Sequence, residues 1–179
     1  MNFKETLYLR TADTENFLGF SRCNVFVAKN KKITVNDVFS NKLLSDVHDR
    51  LINKKSLWKS IKHIFKSNYL ENEFGAVNLK KIEITDFEKL DYNGLILNLE
   101  KYWQDENWGK DLQLFKSIFF DVIDSLKEYD LESRDYYFIN LEKAREEVFI
   151  NPEFWIYFVG IFSIDTENGN VIVMYFGND

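Results

Sequence analysis

Two histidines and one cysteine are the side chains of this sequence best suited to metal or nucleophilic chemistry. His48 and His63 belong to no HxxxH or HExxH arrangement, and Cys23 has no second cysteine with which to build a zinc site or a disulfide. The sequence also lacks a glycine-rich phosphate loop and a G-x-S-x-G nucleophile elbow. It therefore predicts no catalytic residue, no metal site and no cofactor, although a site assembled from distant residues stays open.

The stretch "YWQDENWGKD" places aromatic and acidic side chains just ahead of the predicted central helix. One interpretation is local, because a tryptophan can staple a helix start and carboxylates there favour the helix dipole. The other is a binding surface, since aromatic rings beside carboxylates suit a basic protein partner. Both interpretations stay open. The candidate partner-binding residues are Tyr102, Trp103, Asp105, Glu106, Trp108 and Asp111.

A lysine-rich helix is the best candidate for nucleic-acid binding, because lysines and an aromatic ring could contact phosphate and base. It contains no arginine, and most of the remaining chain is acidic, so nucleic acid is the lesser expectation. The residues concerned are Lys54, Lys55, Trp58, Lys59, Lys62 and Lys66.

Charge is distributed unevenly along the chain, whose formal net charge is −6. From Lys29 to Lys66 there are ten basic and three acidic residues, whereas from Glu83 to Glu153 there are eight basic and eighteen acidic residues. The acidic segment favours a basic partner, and the basic segment could attract phosphate. Solvated helix faces would also account for either segment.

The elements that must position these residues follow from hydrophobic periodicity and turn residues. The pattern predicts a helix at Gly109 to Tyr129, apolar over much of its circumference, as a central packing element. Leu95 to Leu99 favours a strand, with a helix left open. The other predicted elements are strands at Phe3 to Arg10, Arg22 to Lys29, Leu79 to Ile84 and Arg134 to Lys143, and helices from Thr34 to Leu51 and from Ser56.

The chain ends on "FWIYFVGIFSIDTENGNVIVMYFGND", two apolar runs around Asn168 and Gly169. Asn-Gly accepts the positive φ angles of a tight turn, so this ending predicts a β-hairpin. The first run is apolar on both alternating faces, which places it near the middle of a sheet covered on both sides. Gly160 is expected to mark a bulge or a close approach of the covering helix.

With 179 residues, a single domain spanning residues 1–179 is the default. We predict an α+β fold: a mostly antiparallel sheet, completed by the C-terminal hairpin, with helices packed on it. The lone cysteine fits a reducing cytoplasm. The N-terminal residues do not form a leader pattern, and no apolar run is long enough to span a bilayer, so we expect no membrane association.

The C-terminal segment resembles bacterial immunity proteins of contact-dependent growth inhibition and related polymorphic toxin systems. The resemblance rests on an aromatic strand, an "SID-x-EN" turn and a final short G-x-D. The matching residues are Ser163, Ile164 and Asp165, then Glu167 and Asn168, then Gly177, Asn178 and Asp179.

The resemblance implies a cytoplasmic protein that binds one cognate toxin domain, commonly a nuclease, and blocks its active site or its access to substrate. Such an inhibitor needs no catalytic residues of its own. Two alternatives stay open beside it: a nucleic-acid-binding or other regulatory interaction protein that uses the lysine helix, and an enzyme with a dispersed site.

Overall fold

A computed structural model of the chain describes residues 2–13, 19–29, 32–50, 69–104, 108–109, 111–150 and 157–178. Its main element is a six-stranded sheet in the order β1-β2-β8-β7-β6-β5, and each neighbouring pair is antiparallel. The strands are β1 (Phe3–Asp13), β2 (Gly19–Ala28), β5 (Glu88–Leu90), β6 (Asp135–Asn140), β7 (Tyr157–Asp165) and β8 (Asn170–Asn178). A separate two-stranded hairpin consists of β3 (Glu73–Phe74) and β4 (Val77–Asn78).

The α-helices among the described residues are α1 (Val35–Ser40), α2 (Tyr92–Tyr102) and α3 (Asp111–Ser125), and four short 3-10 helices lie between the other elements. Helices α2 and α3 cover one face of the sheet, with α2 over β5 and β6 and α3 over β2. The other face is covered by α1, the β3–β4 hairpin and the irregular segments around them. The predicted α+β fold, including the sheet completed by the C-terminal hairpin, is confirmed.

The C-terminal hairpin forms the centre of the sheet, as the two-faced apolar pattern predicts. All nine residues of β7 are buried, because α2 and α3 cover one side and the second layer covers the other. Phe158 and Phe162 face the second layer, whereas Val159 and Ile161 face the helices. This alternation is what a strand covered on both faces requires.

Gly160 marks a close approach, although not the one expected. It pairs in regular register with Ile139 and Tyr175, so there is no bulge at this position. A Cβ atom here would lie 2.8 Å from Cε1 of Phe74, which belongs to the β3–β4 hairpin and not to a helix.

The hairpin turn is longer than the Asn-Gly pair predicts. Asp165 pairs with Asn170, which leaves four residues in the loop. The Gly169 N–H donates a 3.0 Å hydrogen bond to the Asp165 carbonyl, and Gly169 alone in this loop has a positive φ, of 69°. Four-residue loops of this kind are usually built around a type I turn.

Helix α2 resolves the choice left open at Leu95 to Leu99 in favour of a helix. The Asp91 carboxylate caps the helix by accepting a 2.7 Å hydrogen bond from the Gly94 N–H. Leu95, Leu99 and Tyr102 are buried at helical spacing and pack into the core below the helix. The strand interpretation of these residues was wrong.

Two further expectations need correction. The helix from Thr34 ends at Ser40, because Lys42 takes a left-handed φ of 53° and the chain turns before Leu43 and Leu44 enter the core. The strand expected at Leu79 to Ile84 is absent; residues 79–81 form a turn, and a short 3-10 helix spans Ile84–Asp86.

The remaining predictions fall into two groups. The two early strands, the strand after Arg134 and the central helix all form, with α3 slightly shorter than expected at each end. The helix expected from Ser56, together with its lysines and His63, lies outside the described residues.

Candidate functional site

The three aromatic residues predicted to bind a partner lie in the core. Tyr102, Trp103 and Trp108 are 6%, 4% and 1% exposed. The Trp108 indole N–H donates a 2.9 Å hydrogen bond to the Tyr102 carbonyl, and its ring stacks on Tyr157 with centroids 3.5 Å apart. Trp108 therefore fixes the connection between α2 and α3 to the central strand, which is the packing role that the sequence left open.

The structure describes only one of the three acidic residues of the predicted site. Asp111 is the first residue of α3 and is half-buried. Asp105 and Glu106 lie outside the described residues. A partner-binding role for this segment stays a prediction, and the buried rings of Tyr102 and Trp108 are not available for it in this conformation.

Trp103 lies under side chains of α3. Its ring packs against Phe119 and Phe120, with centroid distances of 5.6 and 5.9 Å. The Lys116 ammonium sits 5.1 Å from the centre of the same ring. Its indole N–H is buried and makes no hydrogen bond to any residue that the structure describes.

The exposed carboxylates of α3, of the turn after it and of the first residue of β6 form what we call the acidic face. Six carboxylates on this face are exposed, and Lys127 is the one exposed basic residue between Asp111 and Asp135 among the described residues. Lys127 pairs with Asp124 at 3.2 Å, and Lys89 of β5 pairs with Asp135 at 2.8 Å. The six carboxylates are Asp121, Asp124, Glu128, Asp130, Glu132 and Asp135.

A buried charged cluster on the opposite side of the sheet was missed by the sequence reasoning. Arg22 of β2 is fully buried and donates a 2.7 Å hydrogen bond to Asp46. It also donates to the carbonyls of Leu44 and Ser45 at 2.9 and 3.1 Å. Burial raises the pKa of Asp46 to about 7, although Arg22 and the Gly75 N–H act to lower it.

Asp49 extends this cluster toward the edge of the sheet. It accepts a 2.9 Å hydrogen bond from the Tyr8 hydroxyl and lies 3.1 Å from Nε of Arg10. The Tyr175 hydroxyl donates to it from β8 at 3.4 Å. The alternation of Tyr8 with Arg10 on β1 could have indicated a polar inner face, but the partner Asp49 is forty-one residues away from Tyr8 in sequence.

Two open grooves are lined by polar groups. The larger, about 710 Å³, lies beside α2, where the Lys143 ammonium donates 2.6 Å hydrogen bonds to Glu88 and Asn98. The smaller, about 360 Å³, is lined by His48 together with Glu5, and Glu5 is paired with Arg50. Burial lowers the pKa of His48, so its imidazole is neutral at pH 7.

Several residues of the C-terminal resemblance, among them Ser163, Asp165 and Asn168, form hydrogen bonds in or beside the hairpin turn. The Asp165 carboxylate accepts 2.9 Å hydrogen bonds from the N–H groups of Glu167 and Asn168. Arg134, buried beneath the turn, donates to Ser163 at 2.9 Å and to Asn170 at 2.6 Å. These contacts of Asp165 and Arg134 stabilise the hairpin turn.

Of the three candidate reactive side chains, the structure describes Cys23 and His48, whereas His63 lies outside the described residues. Cys23 is fully buried, and burial raises the pKa of its thiol to about 12, so it belongs to the core. Among the residues that the structure describes, no three histidine, cysteine or acidic side chains are arranged to hold a metal ion. Within the same residues, no helix is both long and apolar enough to cross a bilayer.

Comparison with known proteins assigns no family to this chain. No protein-family model matches the chain, and no curated protein matches it. Among solved structures, the crystal structure of citrus MAF1 is similar at 13% identity, with a TM-score of 0.49 over 92% of this chain and 90% of that chain. A similarity at this level carries no conclusion about function.

Proposed function

We propose that this chain is an immunity protein that binds a cognate toxin domain, commonly a nuclease, and neutralises it by blocking its active site or its access to substrate. The observation that carries the proposal is the acidic face of α3. Six exposed carboxylates follow one another between Asp121 and Asp135, whereas Arg134, the one arginine between those two residues, is buried.

Charge complementarity gives this surface a physical use. A nuclease domain carries basic groups because it must hold phosphate, and an acidic protein can occupy that surface in place of the nucleic acid. Opposite charge speeds the encounter of the two proteins and makes the association sensitive to salt. The resemblance of the C-terminal hairpin to immunity proteins points to the same class of partner.

The test is a neutralisation titration with the toxin domain encoded by the gene directly upstream of this chain. We expect the toxin activity to fall linearly and to vanish at one chain per toxin domain, because a blocking protein acts by stoichiometric binding. Toxin activity that is unchanged at a several-fold molar excess of the chain would reject the proposal.

The alternatives are distinguished in parallel. If the lysine helix binds nucleic acid, the chain will be retained on heparin or RNA, and the combined change of Lys59, Lys62 and Lys66 to Glu will abolish retention. An enzyme that uses the His48 groove requires an acid beside the imidazole. Glu5, the one acid among the described residues that line this groove, is already paired with Arg50.

A further inference from the structure

The larger groove lies between the C-terminal half of α2 and the end of β6. Asn140, the last residue of β6, lies on the helical side of the sheet, because it follows Tyr136 and Phe138 at two-residue steps and both rings pack in the core under the helices. Asn140 lines the groove and is 1% exposed. At about 710 Å³ the groove has the size of a site for a small molecule.

The side-chain amide of Asn140 has donors to spare. Its Oδ1 atom accepts a 3.0 Å hydrogen bond from the Lys143 backbone N–H, and this bond fixes which way the amide is turned. The two N–H donors of Nδ2 then remain, and they donate to no residue that the structure describes. Buried polar groups are nearly always hydrogen-bonded, so an oxygen acceptor is expected opposite Nδ2.

One pair of opposite charges in the groove is already satisfied within the protein. The Lys143 ammonium donates 2.6 Å hydrogen bonds to Glu88 and to Asn98, and the Asn98 amide donates to Glu88 at 2.8 Å. The hydrogen bond from Lys143 lowers the pKa of Glu88, and the nearby charge of Lys101 acts in the same direction. This network forms one wall of the groove and has a balanced charge.

A second pair of opposite charges in the groove is not joined. Lys101 and Glu142 are exposed and line the groove, and neither forms an ion pair with another residue in the part of the chain that the structure describes. Leu97, which is 58% exposed, adds an apolar surface beside them. A separated cation and anion with an apolar neighbour are complementary to a ligand that carries both charges and an apolar group.

We infer that this groove binds a free amino acid with an apolar side chain. The carboxylate of the amino acid accepts a hydrogen bond from Nδ2 of Asn140 and is paired with Lys101, its ammonium faces Glu142, and its side chain packs on Leu97. Hydrogen bonds to an ionised carboxylate are stronger than those to a neutral acceptor, which suits a buried amide donor. The inference goes beyond the proposed function and does not depend on a toxin.

The experiment is an NMR titration of the whole chain with L-leucine, L-methionine and L-phenylalanine, each up to about 10 mM. We expect at least one of them to move the side-chain NH₂ resonances of Asn140. For the tightest of the three, the matched acid without the ammonium and the matched amine without the carboxylate should each bind at least about tenfold more weakly.

Variants test the two groups assigned to the carboxylate. Asn140→Asp keeps the acceptor for the Lys143 N–H and removes the donors, so we expect at least about tenfold weaker binding. Lys101→Gln should weaken binding by at least about threefold, and its exposed position keeps the test valid if Asn140→Asp does not fold. Lys80→Gln is the control and should leave the affinity unchanged, because Lys80 is exposed in the turn after β4, on the other side of the sheet.

Three results would overturn the inference: no movement of the Asn140 resonances with any of the three amino acids, equal binding by an analogue that lacks one charge, or unchanged binding by both Asn140→Asp and Lys101→Gln. The toxin domain takes no part in these measurements, so their failure leaves the proposed function standing.

Discussion

Arg22 and Asp46 form a buried ion pair. Both side chains lie inside the second layer, and Arg22 also holds the carbonyls of Leu44 and Ser45. The pair joins β2 to the residues that follow α1, where Asp46 begins a short 3-10 helix, Asp46–His48. Removing one partner leaves the other charge and two carbonyls without their hydrogen bonds.

We therefore expect Arg22→Leu to lower the free energy of unfolding by about 3 kcal/mol or more. Lys42→Leu is the control, because the ion pair of Lys42 with Glu71 is exposed and should be worth at most about 1 kcal/mol. Urea unfolding of the two variants measures the difference. Equal losses would mean that the buried cluster has no special structural role.

Glu73 gives the stability of the fold a predictable pH dependence. Burial raises its pKa from 4.5 to about 7. The folded chain thus binds more protons than the unfolded chain between these values, so the contribution of Glu73 to stability is present below pH 4.5 and is lost as the pH rises toward and past 7. Glu73→Gln removes this loss.

The expected result is that the stability of Glu73→Gln relative to the unaltered chain increases between pH 5 and pH 8. Measuring this difference cancels the opposite contribution of His48, whose lowered pKa favours the folded state as the pH rises through 6.5. A difference that stays constant with pH would contradict the burial of Glu73.

The β3–β4 hairpin packs closely against the central strand β7 at Gly160. The Phe74 ring fills the space that a side chain at position 160 would need, and Ile139 of the neighbouring strand approaches the same point to 3.0 Å. The ring of Phe74 also meets Phe158 and Tyr175 edge to face. The small hairpin is therefore held against the middle of the sheet by one aromatic side chain.

Gly160→Ala should cost about 1–3 kcal/mol, because the added methyl overlaps a packed ring. The overlap is removed when Phe74 is shortened, so Gly160→Ala should cost less in a Phe74→Leu background. Thermal unfolding of the two single variants and the double variant gives the coupling. Additive losses would show that the ring and the glycine do not meet.

The sequence predicted the elements that have a clear hydrophobic period. The central hairpin follows from alternating apolar residues, and α3 follows from its apolar stripe. The segment at Leu79 to Ile84 failed because a turn and a 3-10 helix replace the strand there, with Ile82 alone of its isoleucines in the core. Leu95 to Leu99 was ambiguous, since five apolar-rich residues fit either period until the cap at Asp91 is considered.

The partner-binding site at Tyr102 to Asp111 stays a prediction, because Asp105 and Glu106 lie outside the described residues. The sequence pointed to aromatic and acidic residues just ahead of α3. It could not tell which rings face outward: Trp108 stacks beneath the connection of the two helices, whereas Phe120, unremarkable within an apolar stripe, is left at the surface. That choice depends on how α3 is rotated over the sheet, which sequence spacing does not determine for a helix apolar over most of its circumference.

For the molecule as a whole, the described residues show the acidic part of the uneven charge, because the predicted lysine-rich helix lies outside them. The carboxylates of α3 and of the turn after it are exposed, whereas Arg22 and Arg134 are buried. A stoichiometric inhibitor needs only such a surface on a rigid support. The buried hairpin at the centre of the sheet provides that support.

The most direct test is a calorimetric titration of the chain with the toxin domain encoded directly upstream, at about 50 mM and about 500 mM salt. We predict a one-to-one complex at low salt whose affinity falls clearly at high salt, because opposite charges meet across the interface. The absence of a complex at low salt would contradict the account.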